Sequence, residues 1–510
     1  MPPRSRTQTR TCSLDTEAGL LAGRRHEAKL YKILRMLQLF NSLSWRKEEV
    51  QPLEPGVVRM YVCGDTVYDF CHIGHARSKL AFDVVRRYLE FRGYRVTFVR
   101  NITDIDDKII ERAAQNGEPI QALTTRFTRA MHEDYDRLGI LRPTHEPKAT
   151  EHIAGIIAMT QQLIDKGYAY VAANGDVLYS VAKFAPYGKL SGKHLEDLRA
   201  GARVAIDEAK RDPADFVLWK RAKPNEPCWP SPWGEGRPGR HIECSAMTYD
   251  LLGPRFDIHG GGADLKFPHH ENEIAQSCAA TGDRFATYWM HNGFVNVDDE
   301  KMSKSLGNFF TIRDVLGSGF LRDPEVLRFF LISSHYRGPI NYSLAQIEQA
   351  DATLVRLYTA LRDLVPAPTR QAGGATRAFV DAMNDDFNTP EALAVLQGLA
   401  TEINRAKASG EGSRAALLAA ELVHLGGVLG VLQQRADEFL RKPKVAAPQM
   451  GGAAISASYD DERIEVLIRE RAEARRAKDF KRSDDIRREL MDAGVMLEDK
   501  AGGATTWRRA

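Results

Sequence analysis

The amino-acid sequence predicts an α/β protein built on a parallel, doubly wound sheet, with an inserted region, a helical bundle and a small C-terminal domain. Three observations lead to this prediction. The chain has 510 residues, more than one compact core usually holds. Residues 57–103 alternate between strand-like and helical patterns, which is typical of a βαβ unit. From about residue 323 the sequence is rich in Ala and Leu and mostly helical in pattern.

The first elements form the βαβ unit. The apolar run VVRMYVC predicts a buried strand over 57–63. Gly93 marks the end of the helix that follows, whose apolar positions are Ala76, Leu80, Val84 and Tyr88. The segment 95–103, RVTFVRNIT, is rich in β-branched and aromatic residues and predicts the next strand. Two strands joined by a helix in this way are expected to lie parallel in one sheet.

The later elements are less regular. Residues 118–160 have a helical pattern, and 165–235 combine short strand-like runs with a stretch rich in Pro, Trp and Gly. FDIHGGG at 256–262 predicts a return to the parallel sheet, followed by a helix. The segment 442–458 has the composition of a linker.

Composition excludes some classes of protein. A hydrophobic share of 43% and a charged share of 27% are ordinary for a globular chain, and a net charge of +3 does not by itself indicate a nucleic-acid ligand. No apolar run reaches the roughly 18 residues of a membrane span, so no membrane partner is expected. Six cysteines without a CxxC pair suit a reducing compartment, and we expect a cytoplasmic protein. For any one cysteine, buried packing is the simplest interpretation.

His72 and His75 begin the predicted helix, in the motif HIGH. Two imidazoles at a helix N-terminus supply donors and a positive dipole for the charge that develops on a transferring phosphoryl group. Gly74 leaves space for a nucleotide to lie against the backbone. The motif taken alone is a weak signal, because two surface histidines at a helix start would look the same.

Lys301 and Lys304 lie in the motif KMSKS, on a segment predicted to be a loop. Two lysines on a flexible loop can hold a triphosphate during reaction and release pyrophosphate afterwards. With both motifs present, the chain resembles the class I aminoacyl-tRNA synthetases, whose signatures these are. The resemblance implies their nucleotide-binding, Rossmann-like catalytic domain and ATP with Mg²⁺ as substrate.

Four further residues suggest a metal site. Cys63 ends the first strand, Cys244 lies in RHIECSAM, and His269 and Glu273 are four apart in FPHHENE, so they share a helix face. Two thiolates, an imidazole and a carboxylate can bind Zn²⁺ tetrahedrally. Zinc prefers a soft thiolate to a hydroxyl, which would separate cysteine from serine. The alternative is that both cysteines are buried packing and the acids only cap a helix.

Several segments are similar to the cysteinyl-tRNA synthetase family, from Met36 to the final TTWRR: YVCGDTVYDFCHIGHARS, VRNITDIDDKII, FDIHGGGADLKFPHHENE, KMSKSLGNFF and DDFNTPEAL. The resemblance implies activation of L-cysteine and its transfer to tRNA-Cys by a monomer. It implies these roles: one zinc ion on Cys63, Cys244, His269 and Glu273; ATP phosphates on His72, His75, Lys301 and Lys304; adenosine against His259, Gly260, Gly261, Gly262 and Asp264; the amino-acid pocket lined by Thr103, Asp104 and Arg240.

Two positions depart from the family pattern. Arg240 stands where the family usually has a Trp that helps to enclose the amino acid, so the shape of that pocket is expected to differ. Asp65 stands where an apolar residue is common, and we expect little effect there. The C-terminal segment resembles the family's anticodon-binding region, which implies tRNA contacts at Arg475, Phe480, Asp484, Asp499 and Trp507.

The resemblance and the composition together predict the division of the chain. The expected parts are a disordered N-terminal extension (1–35), the two halves of the catalytic domain (36–150 and 236–322), an inserted connective region (151–235), a helical bundle (323–441), a linker (442–458) and an anticodon-binding domain (459–510). Two other functions stay open. One is a ligase that transfers cysteine to an amino-sugar, and the other is a non-catalytic RNA-binding protein.

Overall fold

The computed structural model describes most of the chain. The described residues are 36–194, 209–224, 226–302, 308–367, 373–444, 459–499 and 503–509. The predicted extension 1–35 and all but the first three residues of the predicted linker lie outside them. No helix among the described residues is long and apolar enough to cross a membrane.

The elements of the α/β half follow one another along the chain. They are β1 (Gln38–Asn41), β2 (Arg46–Glu49), β3 (Val57–Thr66), α1 (Ile73–Phe91), β4 (Arg95–Thr103), α2 (Asp107–Asn116), α3 (Ile120–Arg137), α4 (Ile153–Asp165), β5 (Ala169–Val171), β6 (Val177–Tyr179), β7 (Phe216–Arg221), β8 (Gly236–Pro238), α5 (Arg240–Leu252), β9 (Arg255–Gly262), α6 (His269–Thr281), β10 (Phe285–Asn292), β11 (Val295–Val297), β12 (Glu300–Lys301), α7 (Ile312–Gly317), α8 (Pro324–Ile332) and β13 (Ile340–Tyr342).

The helical half follows directly. Its elements are α9 (Leu344–Leu361), α10 (Gly374–Asn384), α11 (Thr389–Ala408), α12 (Gly412–Leu429), α13 (Ala436–Arg441), α14 (Asp461–Arg476), α15 (Phe480–Asp492), β14 (Val495–Asp499) and β15 (Thr505–Arg509).

The central sheet is four-stranded and parallel, in the order β10-β9-β3-β4. Its strands are apolar on both faces because helices cover both, as expected of a parallel sheet. From β3 the chain passes through α1 to β4 on one side, and later returns as β9 on the other side of β3. A crevice therefore opens outside the carboxyl ends of β3 and β9, the usual place for a ligand in such a fold. The predicted α/β class is confirmed.

The prediction of helix throughout 118–160 is wrong between α3 and α4. Pro143 and Pro147 lack a backbone N–H and cannot continue a helix there. Residues 144–148 instead run parallel to β4, where the Arg100 N–H donates to the carbonyl of His145 at 3.1 Å. This segment covers the edge of the sheet, which would otherwise leave backbone groups unpaired.

The region between α4 and α5 contains an antiparallel sheet in the order β5-β6-β7-β8. Its apolar side packs on α4 and on the inner faces of α5 and α6, around Val177, Tyr179, Leu218 and Trp219. Both α5 and α6 carry predicted metal ligands, so this sheet supports the helices that position them.

The C-terminal part is helical apart from one hairpin. In the bundle, α9 packs on α11 and α11 on α12 through Leu354, Leu396 and Leu422, which are fully buried. In the last domain α14 and α15 cover the hairpin β14-β15. Arg362 at the end of α9 donates to Glu498 at 2.9 Å, which joins the bundle to this domain.

Candidate active site and metal cluster

The four predicted metal ligands come together at the crevice. Cys63 lies on β3, Cys244 on α5, and His269 and Glu273 on α6. One ligand atom from each lies within 4.8 Å of the others, and all four residues are buried. The i, i+4 spacing on α6 has the predicted effect, since His269 Nε2 lies 3.1 Å from Glu273 Oε1. The arrangement could hold a metal ion.

The cluster concentrates charge in a buried place. A hydrogen bond from the Cys63 thiol lowers the pKa of Cys244, although burial acts in the opposite direction. Burial disfavours a charged His269, but the Glu273 carboxylate raises its pKa to about 10. Burial likewise opposes ionisation of Glu273, whose pKa the two imidazoles of His259 and His269 nevertheless hold well below its ordinary value. The surroundings therefore favour a Cys244 thiolate and a Glu273 carboxylate, the forms that bind metal, whereas a metal ion would have to displace the proton of His269.

A second group of buried residues shares two members with the first. Cys63 and Glu273, together with His259 and His270, also lie within 4.8 Å of one another. His259 Nε2 lies 2.8 Å from Glu273 Oε2, so one carboxylate oxygen faces His259 and the other faces His269. Cys63 Sγ lies 3.3 Å from His270 Nε2.

Imidazoles extend this network outward. His241 Nδ1 lies 2.7 Å from His269 Nδ1, and His270 Nδ1 lies 2.8 Å from His291 Nε2. Such outer contacts fix the ring orientation of a ligand. His241, His270 and His291 were not predicted as site residues from the sequence. The doubled histidine in FPHHENE was a signal for His270, whereas His291 gave none because it lies alone on β10.

The predicted adenosine contacts differ in their exposure to solvent. The His259 ring is fully buried and stacks on Trp289 with centroids 4.3 Å apart. A Cβ at Gly260 would lie 2.2 Å from the Phe82 ring on α1, so close packing already requires that glycine. Gly262 and Asp264 are more open. Of the predicted adenosine contacts, those two are available to a ligand in this structure, and His259 instead supports Glu273.

The histidine motif caps α1. His72 is the N-cap, and its Nδ1 accepts the Gly74 N–H at 3.1 Å, while His75 Nδ1 accepts the His72 N–H at 3.1 Å. This is a reciprocal capping box made of two imidazoles. A Cβ at Gly74 would lie 2.8 Å from the His72 ring, which explains the glycine between them. The motif thus follows the loop after β3 and begins α1 at the crevice.

The flanks of the lysine motif lie against the same helix start. Residues 303–307, with Lys304, are outside the described part of the chain, and only the backbone of Lys301 is described, in β12. After the motif, the Phe309 ring lies 5.1 Å from the His72 ring, and Phe310 accepts the Ile73 N–H at 3.2 Å. The described residues after the lysine motif therefore lie beside the histidine motif.

The predicted pocket residues lie at the end of β4 and the start of α5. Thr103 and Asp104 are buried, and Asp104 accepts the N–H and hydroxyl of Thr150 at 3.0 and 2.6 Å. Arg240 is exposed, with its Nε 3.5 Å from His241 Nε2. Glu243 was not predicted from the sequence. It is fully buried, and neither of its carboxyl oxygens has a hydrogen-bond partner among the described residues.

The C-terminal candidates separate into two groups. Phe480 is 64% exposed, and Arg475 and Asp484 lie on the surface of the same domain. Asp499 is held by Arg471 at 2.7 and 2.8 Å. Trp507 is buried in the domain core, and its indole N–H donates to Glu465 at 2.8 Å. A base could stack on Phe480 directly but could reach Trp507 only if that core opened.

Comparison with known families agrees with this architecture. A family model described as "tRNA synthetases class I (C) catalytic domain" matches residues 49–352. A DALR domain model matches 378–433, and a model of the cysteinyl-tRNA ligase anticodon binding domain matches 461–508. A solved structure of Mycobacterium tuberculosis methionyl-tRNA synthetase with methionyl-adenylate covers 76% of this chain and 91% of its own, with 14% identity and a TM-score of 0.50. The fold is that of a class I synthetase.

Two curated relatives narrow the family. Cysteine–tRNA ligase of Thioalkalivibrio sulfidiphilus is 60% identical over 476 residues, and cysteine–tRNA ligase of Alkalilimnicola ehrlichii is 59% identical over 476 residues. In each case the match covers 93% of this chain and all of the relative. The chain belongs to the cysteine–tRNA ligase family.

Proposed function

We propose that the protein activates L-cysteine with ATP and transfers it to the 3′-terminal adenosine of tRNA-Cys, with zinc selecting the substrate thiolate. The observation that supports this most is the buried group of two cysteines, a histidine and a glutamate at the crevice of a class I fold, beside the histidine motif. Family membership supports the aminoacylation of tRNA, and the cluster supports L-cysteine as the amino acid.

The donor set fits zinc. Two sulfurs, one imidazole nitrogen and one carboxylate oxygen suit a tetrahedral Zn²⁺. Without a cation, two thiols, a carboxylate and five imidazoles packed together in a dry interior would be costly. Cys63, Cys244, His269 and Glu273 would hold the ion, while His259 and His241 orient two of those ligands.

Zinc would account for discrimination against serine. A hydrophobic pocket separates substrates that differ by one small group by only about 10–200-fold. A zinc ion held there would accept the thiolate of cysteine as an added ligand and would bind the neutral hydroxyl of serine weakly. Burial raises the pKa of the Cys63 thiol, so this ligand would release its proton only when the metal binds.

Other residues would serve the nucleotide. His72 and His75 lie at the positive end of the α1 dipole and would contact the phosphates of Mg-ATP, as would Lys301 and Lys304 of the lysine motif. Gly262 and Asp264 would lie near the adenosine. The protein supplies positioning and charge stabilisation, and we assign it no general base.

The helical half would bind the tRNA. The DALR and anticodon-domain matches favour this function over the amino-sugar ligase, which would not need an anticodon domain. Exposed Phe480 and Arg475 are the best candidates for stacking on and pairing with anticodon bases. We propose that the protein works as a monomer and that the predicted boundaries mark its functional parts.

The test is cysteine-dependent exchange of pyrophosphate into ATP, measured with zinc-loaded protein and after zinc is removed with a chelator. We expect exchange with cysteine, little with serine, and loss of exchange on zinc removal with recovery when Zn²⁺ is returned. Equal exchange with and without zinc would reject the metal's role. Absence of exchange in zinc-loaded protein would reject activation of cysteine.

A further inference from the structure

A buried ion pair lies beneath the histidine motif. Asp65 near the end of β3 and Lys79 on α1 are 3.1 Å apart, with 3% and 4% of their side chains exposed. The Tyr135 hydroxyl on α3 donates to Asp65 Oδ2 at 2.7 Å. A charged pair with so little exposure is rarely present for stability alone, because desolvation offsets much of the attraction.

The pair joins the two functional parts of the crevice. Lys79 Nζ also donates to the backbone carbonyl of Cys63 at 2.9 Å, so α1 is fastened to the residue that carries a cluster sulfur. Asp65 lies two residues further along the same strand. Lys79 therefore contacts the backbone of Cys63, and Asp65 faces the histidine motif.

His75 lies next to this pair on the same face of α1, one turn before Lys79. Its Nδ1 accepts the His72 N–H, so the neutral ring carries its proton on Nε2. Nε2 lies 3.9 Å from Asp65 Oδ1, and the side chain is 36% exposed toward the crevice. This is an electrostatic contact longer than a hydrogen bond, and the exposed part of the His75 ring is open to a ligand.

We infer that Asp65 and Lys79 are positioning residues for activation: the carboxylate fixes the orientation of the His75 ring, and the ammonium sets α1 against Cys63. This rests on the proposed function for its catalytic consequence. The groups facing Asp65 are Lys79 and His75 from α1, Tyr135 from α3 and Arg100 from β4. Asp65 is the acid that the His75 Nε2 faces, so an apolar residue at 65 would leave the ring without this partner.

The expectation that Asp65 has little effect is revised accordingly. A purely structural role makes a different prediction, because replacing both members of a buried ion pair by neutral groups of similar size is often neutral for stability, whereas removing one leaves an unpaired buried charge. The double variant Asp65→Asn with Lys79→Met therefore separates the two roles.

The experiment compares Asp65→Asn, Lys79→Met and the double variant in zinc-loaded full-length protein. We expect each single change to lower Tm and the double variant to recover most of that loss. In the double variant kcat for cysteine-dependent pyrophosphate exchange should stay about tenfold below wild type, with KM for cysteine changed less than twofold, a size typical of outer partners of functional groups. Recovery of kcat together with Tm would overturn the inference. A rise in KM for cysteine with unchanged kcat would also overturn it.

A matched control is the Arg322–Asp351 pair, which is buried in the helical half with Nε and Oδ1 3.1 Å apart. Arg322→Met alone should lower Tm, and the pair's neutral double variant, Arg322→Met with Asp351→Asn, should recover most of that loss, with kcat unchanged in both. A parallel fall of kcat there would show that any lost buried pair lowers activity, and would overturn the specific role of Asp65.

A second readout does not depend on activity. Nitrogen-15 spectra of the histidine rings, with His75 assigned by its loss in His75→Gln, should show a shifted His75 ring in the Asp65→Asn/Lys79→Met variant. Identical His75 ring signals in the two proteins would overturn the inference. If wild-type protein showed no exchange with cysteine, the proposed function would fail, and the ring signals would still decide whether Asp65 orients His75.

Discussion

Cys63, Cys244, His269 and Glu273 lie on three separate elements, so tertiary packing sets the distances between them. The chemistry of each side chain then depends on the neighbours that this packing gives it. Buried cysteines in most proteins are inert apolar packing. Here the His269 imidazole and the Glu273 carboxylate lie beside the sulfurs, and the pKa of Cys244 falls below its ordinary value. The proposed metal site would account for the combination, whereas packing accounts only for the burial.

Cys244→Ala tests the cluster at this scale. We expect the variant to lose bound zinc and cysteine-dependent exchange together, because one of four ligands and a negative charge are removed. Zinc is measured by elemental analysis of dialysed protein. Cys228→Ala is the control, since Cys228 is exposed and lies outside the cluster. Normal zinc content and activity in Cys244→Ala would reject the assignment.

His259→Leu tests the support of Glu273. Removing the imidazole that bonds Glu273 Oε2 at 2.8 Å should lower zinc affinity about 10–100-fold, measured by competition with a chelator. His259→Gln keeps an N–H near the position of Nε2 and should lie closer to wild type. If His259→Leu bound zinc as tightly as wild type and instead raised KM for ATP, the adenosine role first predicted for His259 would be favoured.

At the first turn of α1, the imidazoles of His72 and His75 cap the helix. The same two imidazoles are the proposed contacts for the ATP phosphates. Elements of this kind connect stability with activity. Loss of a capping side chain costs about 1 kcal/mol, and Asn is among the best replacements at an N-cap. The cap can therefore be kept while the imidazole is removed.

His72→Ala and His72→Asn separate these functions. We expect His72→Ala to lower the free energy of unfolding by about 1 kcal/mol, and His72→Asn to keep most of that stability. Both should lose exchange activity, because neither supplies an imidazole to the phosphates. Thermal unfolding and exchange kinetics are measured on the same preparations. Activity in His72→Asn close to wild type would show that only the cap matters.

The hairpin β14-β15 depends on an ion pair that responds to acid. Two hydrogen bonds from Arg471 hold the pKa of Asp499 well below its ordinary value. A carboxyl with a depressed folded pKa contributes stability above its unfolded pKa and loses that contribution as pH falls below it. The protection of the hairpin amides against hydrogen exchange, measured relative to the intrinsic exchange rate at each pH, should therefore fall between about pH 5 and about pH 2 more in wild type than in Asp499→Asn.

The control for this prediction is Asp492→Asn, which changes an exposed carboxylate at the end of α15. It should keep the wild-type acid response of the hairpin. An Asp499→Asn variant with the same acid response as wild type would show that the Arg471 pair does not hold the hairpin.

Local sequence patterns predicted some elements well and others poorly. The strands β3 and β4 and helix α1 follow from apolar runs, helical periodicity and Gly93. The segment 144–148 did not, because its course is set by the unpaired edge of β4, which lies far from any local signal. The pair of His269 and Glu273 on α6 was predictable because i, i+4 spacing on a helix is a local pattern. By contrast, His241 and His291 join the site only through the packing of α5 and β10.

The whole molecule is held together by contacts that no local pattern contains. Arg77 on α1 donates to the carbonyl of His335 at 2.7 Å, which ties the α/β half to the segment after α8. Arg362 joins the bundle to the last domain through Glu498. Such long-range contacts position the helical half against the catalytic crevice, and a bound tRNA would have to reach both.

Charging of a tRNA with a GCA anticodon, with cysteine compared with serine, tests the central claim most directly. The protein used should begin at Met36, which also tests whether residues 1–35 are needed. We predict charging with cysteine that exceeds charging with serine by more than the about 10–200-fold that a hydrophobic pocket provides. Comparable charging with both amino acids, or exchange with cysteine but no transfer to tRNA, would contradict it.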